Sequence, residues 1–237
     1  DNLVHEHHVI RVLRSIFDRA PTTDAMRLDC ADAICNLSYH ISPGSYEDMV
    51  SDGAIELLVL LAEACLEDES SAKQNGATES RNGGNREVSS HNTTKLRVAI
   101  SFCHLASGGF GERLIDLDVI PVILKIILMP HCGLELRRDC LSTLCSLSFC
   151  FDTRGEEMIE AGGYDVVTRL SRSSDVFLRK CCGTILSNLS SHAVNGVQGS
   201  VAALLDLCMP VKSDSAGDEE KETTTHDTDF RSRTLQR

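Results

Sequence analysis

The sequence predicts an all-α fold, a solenoid built from stacked helical repeats. Three observations lead to this prediction. One nine-residue segment recurs along the chain, apolar residues follow helical spacing, and glycines stand where helices are expected to end. With 237 residues, of which 42% are hydrophobic, the chain is long enough to form a packed core without disulfide bonds.

The recurring segment appears four times. The copies read CADAICNLS, VAISFCHLA, CLSTLCSLS and CGTILSNLS, and they begin at Cys30, Val98, Cys140 and Cys182. The leucine near the end of each copy sets the spacing. Leu105, Leu147 and Leu189 follow one another at intervals of 42 residues, whereas Leu37 precedes Leu105 by 68. The segments therefore indicate one common repeat length, with an insertion in the second unit.

The insertion is visible in the composition of residues 67–93. Its only hydrophobic residues are Ala72, Ala77 and Val88, and the rest is mainly Ser, Asn, Gly, Thr, Glu and Arg. Such a segment buries too little apolar surface to offset the entropy lost on ordering. We expect a disordered loop there, and removing it restores the common period.

Each unit also contains two helices that come before the recurring segment. Gly53 and the pair Gly162-Gly163 stand where the first of these helices is expected to end in a left-handed residue. A unit therefore reads short helix, tight turn, second helix, loop and third helix. The short helices are predicted at 46–50, 112–117 and 156–161, and the second helices at 53–61, 118–128 and 163–170.

These elements divide the chain into a solenoid, residues 1–209, and an acidic tail, residues 210–237, which is expected to be disordered. The first residues already fit the middle of a helix, so we expect the sequence to be a piece of a longer protein. Within the solenoid we predict a partial repeat 1–40, repeats 41–107 (with the insert 67–93), 108–149 and 150–191, and a partial repeat 192–209.

The period, the Gly-Ala-Ile…Leu-Leu segment at Gly53 and the Asn-Leu-Ser endings at Asn36 and Asn188 resemble the armadillo-repeat family. The segment RKCCGTILSNLS, residues 179–190, most resembles a catenin-type repeat. The resemblance implies a right-handed α-solenoid of three-helix repeats. HEAT repeats are the alternative, although they usually have two helices per unit and lack the Asn-Leu-Ser ending. Importin-alpha proteins are a weaker match, because the chain contains no Trp.

The third helix of each repeat has two faces. We call Asn36, His104, Ser146 and Asn188 the reference residues, because they occupy the Asn position of Asn-Leu-Ser. Positions six and two before the reference, and one after it, are mostly apolar and are expected to face the core. The third-helix face is the opposite stripe, formed by the reference residue and the positions seven and four before it: Asp29, Asp32, Asn36, Arg97, Ile100, His104, Asp139, Ser142, Ser146, Cys181, Thr184 and Asn188.

The resemblance to armadillo proteins implies that this stripe lines a concave groove. It also implies that the reference Asn forms hydrogen bonds with the backbone of an extended peptide. An amide suits that role because it both donates and accepts. The acids Asp29 and Asp32 favour a basic or polar peptide. The alternative is an ordinary solvated helix face. The predicted partner-binding residues are Asn36, Asp32, Arg97, His104, Ser146, Thr184 and Asn188.

The predicted function is a non-enzymatic protein-interaction scaffold or adaptor that binds an extended peptide or a helix along the concave third-helix face. Two alternatives stay open: an importin-alpha-like transport adaptor, and the substrate-recruiting region of a larger ubiquitin-ligase-type enzyme. No set of nucleophile, base and orienting residue is apparent, so no enzymatic activity is predicted. We expect no cofactor and no metal site, since the cysteines lack ligand spacing.

Charge and cysteine content narrow the partners and the compartment. The formal net charge of −12 argues against nucleic acid. The longest apolar stretch, 119–129, is interrupted by Lys125 and is too short for a bilayer, so no membrane is expected. The chain contains 11 Cys, most of them in apolar helical patterns, which favours a reducing cytoplasmic or nuclear location. The oligomeric state stays undetermined.

Overall fold

The computed structural model describes residues 8–19, 22–40, 43–74 and 84–192, which are helical apart from short connections. The described residues contain no β-strand, so the predicted all-α class is confirmed. The α-helices are α1 Val9–Arg19, α2 Asp24–His40, α3 Pro43–Ser51, α4 Ala54–Gln74, α5 Gly84–Leu105, α6 Gly111–Asp116, α7 Val119–Ile127, α8 Leu134–Leu147, α9 Phe151–Glu160, α10 Gly163–Leu170 and α11 Val176–His192. A π-helical segment Ala106–Phe110 joins α5 to α6, and a 3₁₀ turn Ser148–Cys150 joins α8 to α9.

The helices stack in layers, as a solenoid requires. Helices α3 to α5, α6 to α8 and α9 to α11 form three successive three-helix units, and α1 and α2 precede them. The third helices α2, α5, α8 and α11 pack side by side in chain order, and so do the second helices α4, α7 and α10. Each unit therefore completes its core against its neighbours.

The predicted inward-facing positions form this core. Within α5, Val98, Phe102 and Leu105 are fully buried, and the equivalent residues of α8 and α11 are buried too. Leu37 is the exception, since it is only partly buried against the core cluster. The remaining inward residues, all buried, are Cys30, Ile34, Cys140, Leu144, Leu147, Cys182, Leu186 and Leu189.

The glycine prediction is confirmed where the first helices turn into the second. Gly53 follows α3 with φ +94°, and Gly162 follows α9 with φ +76°. Residues with a Cβ rarely adopt this left-handed conformation, so glycine lets the chain reverse within one or two residues.

The prediction of a disordered loop at residues 67–93 is wrong for both ends of this segment, which are helical. Helix α4 continues to Gln74 and α5 already begins at Gly84, while residues 75–83 lie outside the described part of the chain. Once a helix is nucleated by a packed core, each added residue gains one hydrogen bond, and Glu, Ala and Lys are good helix formers. Asp68 adds an ion pair with Arg27 of α2.

Two predicted segments follow the last described helix. The partial repeat 192–209, beyond His192, and the tail 210–237 lie outside the described residues. Within the described helices, none is both long and apolar enough to cross a membrane.

Asp175 ties the last two third helices together. Its Oδ1 accepts a hydrogen bond from the backbone N–H of Leu178 at 2.9 Å, which caps the start of α11. Its Oδ2 accepts hydrogen bonds from the Arg138 guanidinium of α8, including one from Nε at 3.1 Å. Burial alone raises the pKa of the Asp175 carboxyl, but these hydrogen bonds outweigh burial and hold the pKa below its ordinary value.

We predict that Asp175→Asn lowers the free energy of unfolding by about 1–3 kcal/mol at pH 7, because the cap is kept while the charge-assisted bonds to Arg138 are lost. The pKa of Asp175 is lower in the folded state than in the unfolded state. As the pH falls, the unfolded chain therefore takes up the proton first. The stabilisation is therefore complete above about pH 4 and disappears as pH falls through the folded-state pKa. Urea unfolding of both proteins between pH 3 and pH 7 measures this.

Asp165→Asn is the matched control, since Asp165 lies exposed in the first turn of α10. It is expected to change the unfolding free energy by less than about 0.5 kcal/mol at every pH. If the loss of unfolding free energy caused by Asp175→Asn stays constant down to pH 3, the Asp175 carboxylate does not stabilise the fold through Arg138.

Candidate functional site: the third-helix face

Side chains on the third-helix face connect each third helix to the next. The reference residue of one repeat forms a hydrogen bond with a serine of the preceding repeat. That serine lies two or three positions after the preceding repeat's own reference residue. The distances are 2.9 Å from His104 Nδ1 to Ser38 Oγ and 2.8 Å from Asn188 Nδ2 to Ser148 Oγ. The middle step joins Ser146 Oγ to Ser107 Oγ at 3.4 Å. We call these three contacts the reference ladder.

The hydroxyl protons of Ser38 and Ser148 are already used, which determines the donor in two of the three ladder contacts. Ser38 donates its only hydroxyl proton to the carbonyl of Cys35 at 2.8 Å, and Ser148 donates to Cys145 at 2.7 Å. Each Oγ can then only accept from the next repeat. Asn188 donates through its amide nitrogen. His104 must donate from Nδ1, which assigns the Nδ1–H form to this histidine.

The ladder gives the Asn-Leu-Ser ending a structural explanation. The serine of one repeat is the acceptor for the reference residue of the next. Ser190 already donates to Ser187 at 2.7 Å, in the same way as Ser38 and Ser148. In the middle repeat the partner is Ser107, one residue further along, where the chain follows the wider π-helical segment 106–110.

A second set of contacts also joins neighbouring third helices. Asp32 Oδ1 and Arg97 Nε form an ion pair at 2.6 Å, with about 40% of each side chain exposed. Cys103 Sγ and Ser142 Oγ lie 3.3 Å apart. Thr143 Oγ1, which is buried, donates to the backbone carbonyl of Ala99 in the preceding third helix at 3.1 Å.

The structure places the seven predicted partner-binding residues in different environments. Asn36 is exposed, and among the described third helices it is the only reference residue that is. Asp32 and Arg97 are half-exposed but paired with each other. Thr184 is partly exposed and donates to the Lys180 carbonyl of its own helix at 3.3 Å. Asn188 is partly buried and bonded to Ser148.

Two of the predicted partner-binding residues, which were expected to point away from the core, are in fact buried. His104 and Ser146 are only 6% and 7% exposed. Both side chains are turned toward the preceding third helix and used in the reference ladder. A polar group that enters a helix interface needs a hydrogen-bond partner there, and the serines supply it.

Sequence reasoning missed two residues of this face. Tyr39 and Phe149 each lie three residues after a reference residue, and both are largely exposed. Aromatic residues at the same position of two repeats were the available signal.

Metal-ligating side chains do not cluster in the described part of the chain, and burial raises the pKa of several of its thiols. No group of three or more His, Cys, Asp and Glu side chains lies close enough to hold a metal ion in the described part of the chain. Burial raises the pKa of Cys65 and Cys103 to about 11 and that of Cys182 to about 12. These thiols therefore stay protonated near neutral pH and are poor nucleophiles.

Comparison with solved structures finds designed repeat proteins. A designed armadillo repeat protein, YIII(Dq)4CqI, is 14% identical with TM-score 0.58, over 87% of this chain and 84% of its own. A designed armadillo repeat protein in complex with the peptide (KR)4 is 15% identical with TM-score 0.56, over 87% and 84%. Computationally designed armadillo repeat proteins for modular peptide recognition match at 15% identity with TM-score 0.55, over 85% and 83%.

The chain has an armadillo-like α-solenoid fold. The predicted fold class is thereby confirmed, and at this level of identity the likeness concerns the fold alone. No protein-family model and no curated protein sequence matches the chain.

We predict that Ser148 and Asn188 are energetically coupled through the reference ladder. In a double-mutant cycle of Ser148→Ala and Asn188→Ala, the coupling energy is expected to be about 0.5–1.5 kcal/mol, the net value of one hydrogen bond. Chemical denaturation of the four proteins measures it. Ser190→Ala is the control, because it removes the same bond to a carbonyl three residues earlier, and we expect it to cost less than Ser148→Ala. Additive effects in the cycle contradict the ladder.

Proposed function

We propose that this chain is a non-enzymatic scaffold that binds an extended peptide along its third-helix face. The observation that carries the proposal is the row of four aligned third helices, which presents exposed and half-exposed polar side chains from successive repeats. A regular row of this kind suits a ligand with its own regular backbone. Solved neighbours of the same fold include one in complex with a peptide and one designed for peptide recognition.

The charge of the face favours a basic or polar peptide. Among its twelve positions there are three acids, Asp29, Asp32 and Asp139, and one base, Arg97. Asp32 and Arg97 neutralise each other across the first two third helices. Asp29 is exposed and Asp139 is half-exposed, so the remaining charge of the face is negative.

Asn36 is the reference residue best placed for a peptide backbone. It is exposed, and it lies on α2, the first third helix in the described residues. Its amide can donate to one backbone carbonyl and accept from one backbone N–H. The later reference residues are bonded to the preceding repeat, so their contribution to a ligand is reduced.

We also propose a reducing compartment, cytoplasm or nucleus. The described residues contain ten free cysteines, of which all but Cys150 are buried. These thiols fill the positions of small apolar side chains between helices, a use of cysteine that is typical of proteins kept reduced.

The proposal is tested by fluorescence anisotropy with a labelled (KR)4 peptide. Asn36→Ala and Asp29→Asn are each expected to weaken binding by about twofold to tenfold, the worth of one hydrogen bond or one exposed charge contact. Raising the ionic strength should weaken binding further, because exposed charges are screened.

Asp165→Asn on α10 serves as the charge-matched control away from the face, and it should leave the affinity unchanged within about twofold. Circular dichroism first checks that all variants keep the wild-type helix content. Equal weakening by Asp165→Asn and Asp29→Asn would point to general charge attraction rather than this face. Absence of wild-type binding to (KR)4 would contradict the proposed basic ligand.

A further inference from the structure

Two exposed aromatic residues, Tyr39 and Phe149, occupy the same position after the reference residue in alternate repeats. Tyr39 and Phe149 have exposed fractions of 59% and 60%. Each residue follows its reference residue by three positions. In an α-helix, as for Tyr39, residues three apart lie on the same side. In a 3₁₀ turn, as for Phe149, they lie nearly in line. We call this the ring edge, defined by Tyr39 and Phe149.

The structure holds the Tyr39 ring in place. Its centroid lies 5.6 Å from the centroid of the His104 ring, with the two planes tilted by 53°. His104 is itself buried and fixed by its bond to Ser38. The exposed surface of Tyr39 is therefore braced by the next repeat, which lowers the entropy lost when a ligand packs on it.

The opposite edge of the face is acidic. Asp29 and Asp139 lie seven positions before their reference residues, ten residues from Tyr39 and Phe149 respectively. Ten residues correspond to about 15 Å along a helix. A chain crossing the helices therefore has aromatic rings on one side and carboxylates on the other, and both groups attract cations.

We propose that Tyr39 and Phe149 are docking positions for two arginine side chains of one extended peptide. The inference rests on the proposed function and names the residues that set its ligand specificity. Arginine fits better than lysine, because its planar guanidinium stacks on an aromatic face and is weakly hydrated.

The position of the rings also sets the spacing of the arginines. Tyr39 and Phe149 are two repeats apart, and packed helices lie about 8–10 Å from each other, so the rings are separated by about 16–20 Å. An extended chain rises about 3.3 Å per residue, and its side chains alternate between two sides. Two arginines on the same edge must therefore be an even number of residues apart, and about six residues span the distance.

The experiment uses labelled twelve-residue peptides of Ser and Gly that carry two arginines separated by five, six or seven positions. Fluorescence anisotropy at low ionic strength compares their affinities for the wild-type chain. We expect the separation of six to bind about threefold or more tightly than five or seven. No dependence on separation, or tighter binding at five or seven, overturns the inference.

Substitutions of the rings separate stacking from plain apolar contact. Tyr39→Leu and Phe149→Leu keep an apolar side chain but remove the ring, and each should weaken the six-spaced peptide by about twofold to thirtyfold. Tyr39→Phe keeps the ring and should keep the affinity within about twofold. Ile159→Ala, at an exposed apolar position on α9, is the control and should have no effect. Full affinity in both leucine variants overturns the inference.

The (KR)4 peptide separates this inference from the proposed function. Wild-type binding to (KR)4 that weakens with Asp29→Asn and Asn36→Ala but not with the leucine variants leaves the proposed function intact and overturns the ring assignment. Loss of all wild-type binding overturns both. Thermal unfolding of the leucine variants excludes misfolding as the cause of lost affinity. Phe149→Leu is expected to match wild type, whereas Tyr39→Leu loses the ring contact with His104 and is expected to melt a few degrees lower.

Discussion

Lateral packing of the third helices is the constraint on which the rest of this structure depends. A three-helix unit has apolar residues on more than one side and cannot bury them alone, so each unit needs its neighbours. Phe102, Leu144 and Leu186 fill equivalent buried positions in consecutive third helices. Burying each such side chain contributes about 1.5–3 kcal/mol. The second helices α4, α7 and α10 pack against one another in the same order.

The same packing decides what the polar residues of the third helices can do. Where two helices approach, a polar side chain must find a partner, and the reference ladder provides one at each of three interfaces. The Asn-Leu-Ser ending therefore serves the stack first. Among the described reference residues, Asn36 is the exposed one.

The exposed remainder of the third-helix face is uneven in its chemistry. Acidic positions lie near the helix starts, hydrogen-bonding groups run along the middle, and the rings of Tyr39 and Phe149 lie near the helix ends. The Asp32–Arg97 pair removes one acid and the face's one base from the balance of charge. A ligand that crosses the helices therefore meets different partners on its two sides, which suits an extended chain with alternating side chains.

The repeat period, the helical class, the inward positions and the glycines at the turns could all be predicted from the order of residues along the chain. All of these depend on local spacing, since 3.6-residue periodicity and a positive φ act within a few residues. The tertiary structure alone decided that His104 and Ser146 are buried, that Ser38 and Ser148 are acceptors, and that helix extends to Gln74 and resumes at Gly84. It also decided that Tyr39 and Phe149 are both largely exposed. The ladder contacts join residues one to two repeat lengths apart, and their distances are set by how helices pack rather than by the order of residues along the chain.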